Sequence, residues 1–128
     1  MWTKEIRIED GKYSVSALIV RCGRDVTLTV GGGELPHVGA SALAVPRESL
    51  QGTGEISASV SVFCVSGHKE DEFARVAAGR ITAKFNCVTC VSVGVHIDSA
   101  QKDELLRLQK NLDGLLSDVI SALESAPL

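Results

Sequence analysis

A strand is predicted to run directly into a helix within residues 60–72, which read Val60-Ser61-Val62-Phe63-Cys64-Val65-Ser66-Gly67-His68-Lys69-Glu70-Asp71-Glu72. From Ile56 to Cys64, apolar residues alternate with serines, which is the period of a strand with two different faces. Apolar residues then recur at every fourth position, as in a helix with one apolar stripe. These residues are Phe73, Ala77, Ile81 and Phe85. The chain therefore switches from strand to helix at Gly67-His68.

The start of this helix has the features of an anion site. Ser66 or His68 is predicted to cap the helix, and the acidic residues 70–72 suit the positive end of its dipole. A junction of strand, glycine and helix exposes backbone N–H groups, which bind anions readily. Most short motifs of this kind are ordinary turns, so both interpretations stay open at this point.

Length and composition predict one globular domain over residues 1–128. The net charge is −3 and no basic tract is present, which argues against a nucleic-acid partner because phosphate neutralisation needs a concentrated basic face. No apolar run approaches the ~18 residues of a membrane span, and the N-terminus lacks the apolar core of a signal peptide. We therefore expect a cytoplasmic protein with no membrane partner.

The four cysteines are predicted to be reduced structural thiols. Cys87 and Cys90 have the spacing of a redox or zinc pair, but they precede or enter a strand rather than a helix. Three residues apart on a strand, their side chains point to opposite faces. No second pair completes a zinc site, so burial is the preferred interpretation.

The order of elements predicts an α/β (α+β) fold: a mixed sheet of about six strands with an N-terminal antiparallel meander, a βαβ unit and two helices. A hairpin is predicted over residues 4–9 and 13–22, around the turn signal Asp10-Gly11, followed by a third strand at Val26–Val30. Gly31-Gly32-Gly33 is predicted to break the strand pattern, either as a flexible loop or by a positive φ or a very close backbone approach. The later elements are a strand at 38–45 ended by Pro46, a loop at 46–54, a strand at 55–65, a helix at 69–86, a strand at 88–97 and a helix at 100–124. Asp98 or Ser99 is predicted to cap that last helix, whose apolar stripe is Leu105, Leu108, Leu112, Leu115, Val119 and Leu123.

The three histidines, His37, His68 and His96, are predicted to meet at one edge of the sheet. A right-handed crossover makes the fifth and sixth strands parallel, and a short loop makes the fourth strand antiparallel to the fifth. The convergence therefore falls at the carboxyl ends of strands five and six, where open α/β sheets usually bind ligands. Lys69, Asp98 and the glycines 31–33 lie at the same edge, although polar loop residues also converge by chance.

One face of the sheet is predicted to be small and weakly polar. Its residues are Ser57, Ser59, Ser61, Cys90, Ser92 and Gly94. Such a face suits solvent, a second subunit or a planar ligand, and the sequence does not choose among them.

Four segments of the chain read Gly31-Gly32-Gly33-Glu34-Leu35-Pro36-His37-Val38-Gly39-Ala40, Ala42-Leu43-Ala44-Val45-Pro46-Arg47, Gly67-His68-Lys69-Glu70-Asp71-Glu72 and Gly94-Val95-His96-Ile97-Asp98. Together they are similar to segments of the prenylated-flavin chaperones, the small D subunits that accompany gallate- and hydroxybenzoate-type decarboxylases. The resemblance covers roughly residues 31–98.

The resemblance implies a fold similar to proteasome-assembly chaperones and a homodimer. It also implies a non-enzymatic role, in which the chain carries or protects prenylated FMN between a flavin prenyltransferase and an apo-decarboxylase. The glycine-rich segment, the helix start and Lys69 would then hold the phosphate, and the imidazoles would contact phosphate or ring. The implied cofactor-binding residues are Gly32, Gly33, Pro36, His37, Gly67, His68, Lys69, His96 and Asp98.

Two other functions fit the same residues. His37, His68 and His96 with Asp98 would suit a catalytic metal such as zinc, although no closely spaced ligand pair such as His-x-His is present. Alternatively, the chain is a pure interaction module that assembles a decarboxylase without touching its cofactor.

Overall fold

The computed structural model describes residues 1–65 and 70–127 as a single α+β domain with a six-stranded mixed sheet and two helices. This architecture confirms the predicted fold class. The elements in chain order are β1 (Trp2–Ile8), β2 (Val15–Cys22), β3 (Asp25–Gly33), β4 (Ala40–Glu48), β5 (Ile56–Cys64), α1 (Asp71–Phe85), β6 (Thr89–His96) and α2 (Lys102–Ser125). Within the described residues, neither helix is long and apolar enough to cross a membrane.

The strands lie in the order β1-β2-β3-β6-β4-β5. β1, β2 and β3 form the predicted antiparallel meander, and β4 pairs antiparallel with β5, also as predicted. β6 is inserted between the two groups, parallel to β3 and antiparallel to β4. β5 and β6 consequently run in the same direction, but β4 separates them.

Two predicted strand ends are wrong, and both have a physical reason. The glycines 31–33 do not break the pattern but extend β3, where they pair with Gly94, Val95 and His96 of β6. β4 begins at Ala40 rather than residue 38 and continues through Pro46. The pairing of β4 with β6 already ends at Ala44. Proline has no N–H group to donate, and at position 46 no hydrogen-bond ladder to β6 remains for it to interrupt.

The predicted helix caps are also wrong. α2 begins after Gln101, whose side chain forms a reciprocal capping box with Glu104, so neither Asp98 nor Ser99 is its N-cap. The N-cap of α1 is Glu70, which makes no side-chain cap hydrogen bond. Ser66 and His68, the caps expected for α1, lie outside the described residues.

Both helices cover the same face of the sheet and enclose the core there. α1 packs on β4, β5 and β6, and α2 packs on β1 and β2. The predicted stripe of α2 is buried except for Leu105, which is 54% exposed, and Leu116 and Ile120 are buried in addition. The four apolar positions predicted for α1 face the core, with Phe85 only partly buried.

The turn between β1 and β2 is tied to the first half of α2 by polar contacts. Asp10 accepts two hydrogen bonds from Arg107, one of them at 2.8 Å from Nε, and one from the Asn111 amide at 2.9 Å. Glu104 accepts from the Tyr13 hydroxyl at 2.9 Å and pairs with Lys12 Nζ at 2.7 Å. The hydrogen bonds from Lys12, then from the backbone of Gln101 and from Tyr13, lower the pKa of Glu104 to about 2.

Glu104→Gln is expected to flatten part of the pH dependence of folding stability. A carboxyl whose pKa falls from 4.5 in isolation to about 2 in the fold stabilises the protein above about pH 5 and loses that contribution as the pH falls toward 2. Denaturant titrations at several pH values measure the slope. Glu124→Gln, which removes the exposed partner of Lys84, is the control and should leave the slope unchanged. Identical slopes for wild type and Glu104→Gln would contradict the assignment.

Arg21 is a buried cation that the sequence pattern did not reveal. Its side chain lies on the helix side of β2 with 5% of its surface exposed, and its guanidinium sits 5.7 Å from the centroid of the Phe85 ring. Its Nε has no hydrogen-bond partner among the described residues. Phe85 ends α1, so the charge lies at the negative end of that helix dipole, which favours a cation there.

Cys87 and Cys90 fit the predicted structural role, whereas Cys22 and Cys64 are exposed and do not. Cys87 is buried in the core, where burial raises the pKa of its thiol, and it contacts the Thr89 hydroxyl at 3.6 Å. Cys90 is half-buried on the opposite side of the sheet, and all four cysteines are free thiols.

Candidate functional site

The candidate site lies where the carboxyl ends of β3 and β6 come together. Gly33 and His96 are directly paired there, and the segment from Glu34 to Gly39 leads from this edge into β4. The ring centroids of His37 and His96 are 6.5 Å apart in an edge-to-face arrangement. The predicted meeting of these two histidines is therefore confirmed. Gly67, His68 and Lys69, the other residues predicted for this edge, lie outside the described residues.

The segment carrying His37 is held against β6 by its backbone. It lies on the open face of the sheet, which is the face that the two helices do not cover. The His37 N–H donates to the Gly94 carbonyl at 3.4 Å, and the Glu34 N–H donates to the His96 carbonyl at 2.6 Å. A Cβ added at Gly94 would lie 1.8 Å from the His37 carbonyl oxygen. Pro36 covers Gly31 in the same way, because a Cβ added at Gly31 would lie 3.0 Å from the Pro36 Cβ. Glycine is thus required where the chain crosses over the sheet.

The glycines of β3 serve close packing rather than an open phosphate loop. The Gly33 N–H donates to the Ser14 carbonyl at 3.0 Å, so this donor is already used. A Cβ at Gly32 would lie 2.5 Å from the same Ser14 oxygen. Gly33 has a positive φ of 72°, and a Cβ there would lie 2.3 Å from the His96 carbonyl oxygen. The Gly33 N–H is therefore not available to an anion.

Each described imidazole at the edge contacts a carboxylate. His37 Nε2 lies 3.2 Å from Glu70 Oε1, and His96 Nε2 lies 2.8 Å from Asp98 Oδ1. His37 Nδ1 also lies 3.0 Å from the Leu35 carbonyl oxygen. A carbonyl and an ionised carboxylate only accept, so both contacts of His37 are hydrogen bonds when both ring nitrogens carry protons. In that form His37 is a cation.

Glu34 and Glu70 are two carboxylates of the edge that the sequence analysis did not select. Glu34 Oε1 accepts from the Asp98 backbone N–H at 2.9 Å, and Glu70 Oε1 accepts from the Val95 N–H at 3.4 Å. Glu70 also fills the space beside Gly39, where an added Cβ would lie 2.6 Å from its Oε2. The sequence marked Glu70 only as an acidic residue near a helix start, which gave no sign of a partner on another element.

The dipoles of both helices contribute positive potential at this edge, where His37 and His96 lie (the histidine edge). Both follow strands that run in the same direction, and each packs back along the sheet, so α1 and α2 start at the same edge. The contact between Lys84 and Glu124 at 3.2 Å joins their opposite ends. The positive ends of both dipoles therefore point to the histidine edge, which offsets part of the negative charge of its carboxylates.

A groove between α1 and α2 opens beside the histidines. Its cavity has a volume of about 400 Å³. Apolar residues from both helices and from the end of β6 form most of its lining, with carboxylates, an amide and an imidazole among them. The lining residues are Glu70, Glu72, Phe73, Val95, His96, Ile97, Leu105, Leu108, Gln109 and Leu112.

The metal interpretation gains no support from the described side chains. Within residues 1–65 and 70–127, no group of three or more His, Cys, Asp or Glu side chains is arranged to hold a metal ion. His68, one of the ligands that the sequence predicts for this interpretation, lies outside this range.

The fold is similar to that of a chain in a solved chaperone complex. The chain matches a crystal structure of a chaperone complex for yeast 20S proteasome assembly with a TM-score of 0.60 and 17% sequence identity. The match covers 97% of this chain and 95% of that one. At this identity the likeness concerns the fold alone.

Residues 9–124 match the family model of the prenylated flavin chaperone LpdD-like domain, and the chain belongs to that family. The match includes the whole described edge from Gly32 to Asp98 and nearly all of α2. The comparison with curated proteins gives no match.

Proposed function

We propose that this protein is a cytoplasmic, non-enzymatic carrier of prenylated FMN, which it delivers to the apo form of an aromatic acid decarboxylase. The observation that carries the proposal is the family match over residues 9–124. The histidine edge supports it, because two imidazoles and two helix starts are gathered there. A carrier must also release its cargo, which agrees with non-covalent contacts from a few polar groups. A flavin prenyltransferase is the proposed donor.

The phosphate is assigned to the part of the edge where positive charge is available. His37 in its doubly protonated form, the positive ends of α1 and α2, and Lys69 supply that charge. His96 contributes a second imidazole, which its contact with Asp98 orients. Gly32 and Gly33 shape the edge by letting β3 approach its neighbours closely.

Lys69→Glu is expected to weaken binding of prenylated FMN at least tenfold, because it replaces attraction of the phosphate by repulsion. A charge-assisted contact is worth about 1.5–3 kcal/mol, which corresponds to that factor or more. Fluorescence titration of the purified protein measures the affinity. Arg24→Glu, the same reversal in the turn between β2 and β3 at the far edge, should bind like wild type.

His68→Ala tests the same edge without reversing a charge, and it should weaken binding by a smaller factor than Lys69→Glu. Equal affinities of wild type, Lys69→Glu and His68→Ala would remove the cofactor from this edge. A wild-type protein that promotes decarboxylase maturation but binds no prenylated FMN would point to an assembly module. Stoichiometric zinc that is lost on His→Ala substitution would point to the metal interpretation.

The open face of the sheet is proposed to pair with a second copy of the chain. The predicted serines and small residues lie on this face, and the Ser41 and Ser92 hydroxyls are 2.8 Å apart in the middle of it. Larger apolar residues flank them: Leu18, Leu43, Val45 and Phe63 are between 45% and 76% exposed. Two such faces, with small residues at the centre and large ones around it, can pack against each other as in a sandwich of sheets.

Leu43→Lys is expected to convert a dimer into a monomer, because it buries an unpaired charge beside the serines of the sheet-to-sheet interface. Light scattering of the wild-type protein at micromolar concentrations should return twice the chain mass of 13.5 kDa. Val76→Lys, at an exposed position of α1 on the other side of the molecule, is the matched control and should stay dimeric. A monomeric wild type, or a dimeric Leu43→Lys variant, would refute the interface.

A further inference from the structure

We propose that the groove between α1 and α2 holds the ring system of prenylated FMN, with the ribityl phosphate directed out of the groove toward His37 and His96. This inference rests on the proposed function and adds to it a location and an orientation for the cargo. It places the ring on the helix side of the sheet, away from the open face.

The groove has an apolar floor of suitable size. Four apolar residues form this floor, and each is only 4–7% exposed: Phe73, Ile97, Leu108 and Leu112. Most of each side chain is packed in the core, and the small exposed part faces the groove. The volume of about 400 Å³ falls within the range of roughly 300–1,000 Å³ typical of small-molecule pockets. Aromatic and aliphatic side chains form the kind of surface that accepts a planar ring, and prenylation adds hydrocarbon to that ring.

The charges of the groove determine which end of the cofactor it takes. Glu70 and Glu72 line its wall, and no lysine or arginine is among its described lining residues. Carboxylates repel a phosphate, whereas the flavin ring is uncharged in its neutral forms. The ring is therefore the end that enters, and the phosphate stays outside.

The groove and the histidine edge share residues, so one ligand can occupy both. His96 lines the groove, and its ring lies 6.5 Å from that of His37 across the edge. Glu70 likewise lines the groove and contacts His37. On the opposite wall, the side-chain amide of Gln109 donates a hydrogen bond to Asp113 Oδ1 at 2.9 Å.

Leu105 marks the mouth of the groove. It lines the cavity and is 54% exposed, which leaves apolar surface in contact with water where a ring would cover it. Leu106, the next residue of α2, is 62% exposed but is not among the lining residues. The pair gives a test site and its control with the same chemistry and similar exposure.

The experiment compares Leu105→Glu with Leu106→Glu in titrations with prenylated FMN. Leu105→Glu is expected to weaken binding at least tenfold, and Leu106→Glu to bind within about twofold of wild type. Because both side chains are exposed, the two variants should have equal melting temperatures. Riboflavin, which lacks the phosphate, should show the same loss between wild type and Leu105→Glu.

A second pair of variants tests the groove by side-chain volume instead of charge. Gln109→Trp should weaken prenylated FMN binding, and Lys110→Trp, one residue further along α2, should not. If the wild type binds prenylated FMN and the groove variants bind equally well, the groove assignment is overturned while the carrier function stands. If the wild type binds no flavin, both are overturned. A loss that is equal in Leu105→Glu and Leu106→Glu also overturns the groove.

Discussion

Gly94→Ala is expected to destabilise the fold by at least about 3 kcal/mol, in the upper range for a single substitution. The added Cβ would lie 1.8 Å from the His37 carbonyl oxygen and 2.3 Å from its carbon, and both atoms belong to the backbone. A rotamer change cannot relieve this overlap. Either the segment from Glu34 to Gly39 leaves the sheet, or β6 shifts between β3 and β4. Chemical denaturation measures the loss in the free energy of unfolding.

The matched control for this prediction is Gly79→Ala. Gly79 lies within α1, and an added Cβ there would meet only Val60 Cγ2, at 3.5 Å, an ordinary contact distance. Alanine in a helix interior is favoured over glycine by roughly 0.5–1 kcal/mol, so this variant should be as stable as wild type or more stable. If Gly94→Ala were equally well tolerated, the segment that carries His37 would not be packed on β6 as described.

Gly94→Ala has a second expected result at the candidate site. Displacement of the segment would separate His37 from both His96 and Glu70, since its carbonyl and its ring belong to the same residue. Binding of prenylated FMN should therefore fall together with stability. Gly79→Ala should leave binding unchanged.

Ile81→Ala is expected to cost about 2–5 kcal/mol of folding stability, because it opens a cavity in the core. Ile81 is fully buried on the face of α1 that packs on β4, β5 and β6. These three strands make up half of the sheet, and α1 is the helix that covers them. Thermal and denaturant unfolding both measure the effect.

Val76→Ala is the control for that substitution. Val76 lies on the same helix but is 39% exposed, so truncation removes little buried surface, and alanine has the higher helix propensity. Its stability should stay within about 0.5 kcal/mol of wild type. A similar loss in both variants would mean that α1 is not seated on the sheet through the face that contains Ile81.

The sequence predicted the strands and helices well, but it predicted the order of the strands in the sheet less well. Alternation of apolar and polar residues located five strands, a run of small apolar residues located β4, and apolar stripes with a spacing of three or four residues located both helices, because each pattern reflects burial. The insertion of β6 between β3 and β4 left no such mark. Pairing partners are chosen by packing over distances that a local pattern does not record, and β3 and β6 are separated by two strands and a helix.

The candidate site shows the same division. His37 and His96 were placed together by topology, since both stand at strand ends that had to share an edge. The carboxylate that each histidine contacts was harder to predict, because it depends on how far side chains reach. Asp98 is two residues from His96, but Glu70 contacts His37 from a different element. The glycines of β3 were compatible with a flexible loop or with a very close backbone approach, and the contacts of Gly32 with Ser14 and of Gly33 with His96 are of the second kind.

The central strand of this sheet is the last strand to be synthesised. β1 to β3 form one hairpin series and β4 to β5 another, and each can assemble as soon as it is made. Until β6 follows, however, both β3 and β4 have an unpaired edge, and such edges invite pairing with other chains. Translation of residues 89–96 therefore closes both edges at once, and a nascent chain halted before that point would be exposed to aggregation on two sides.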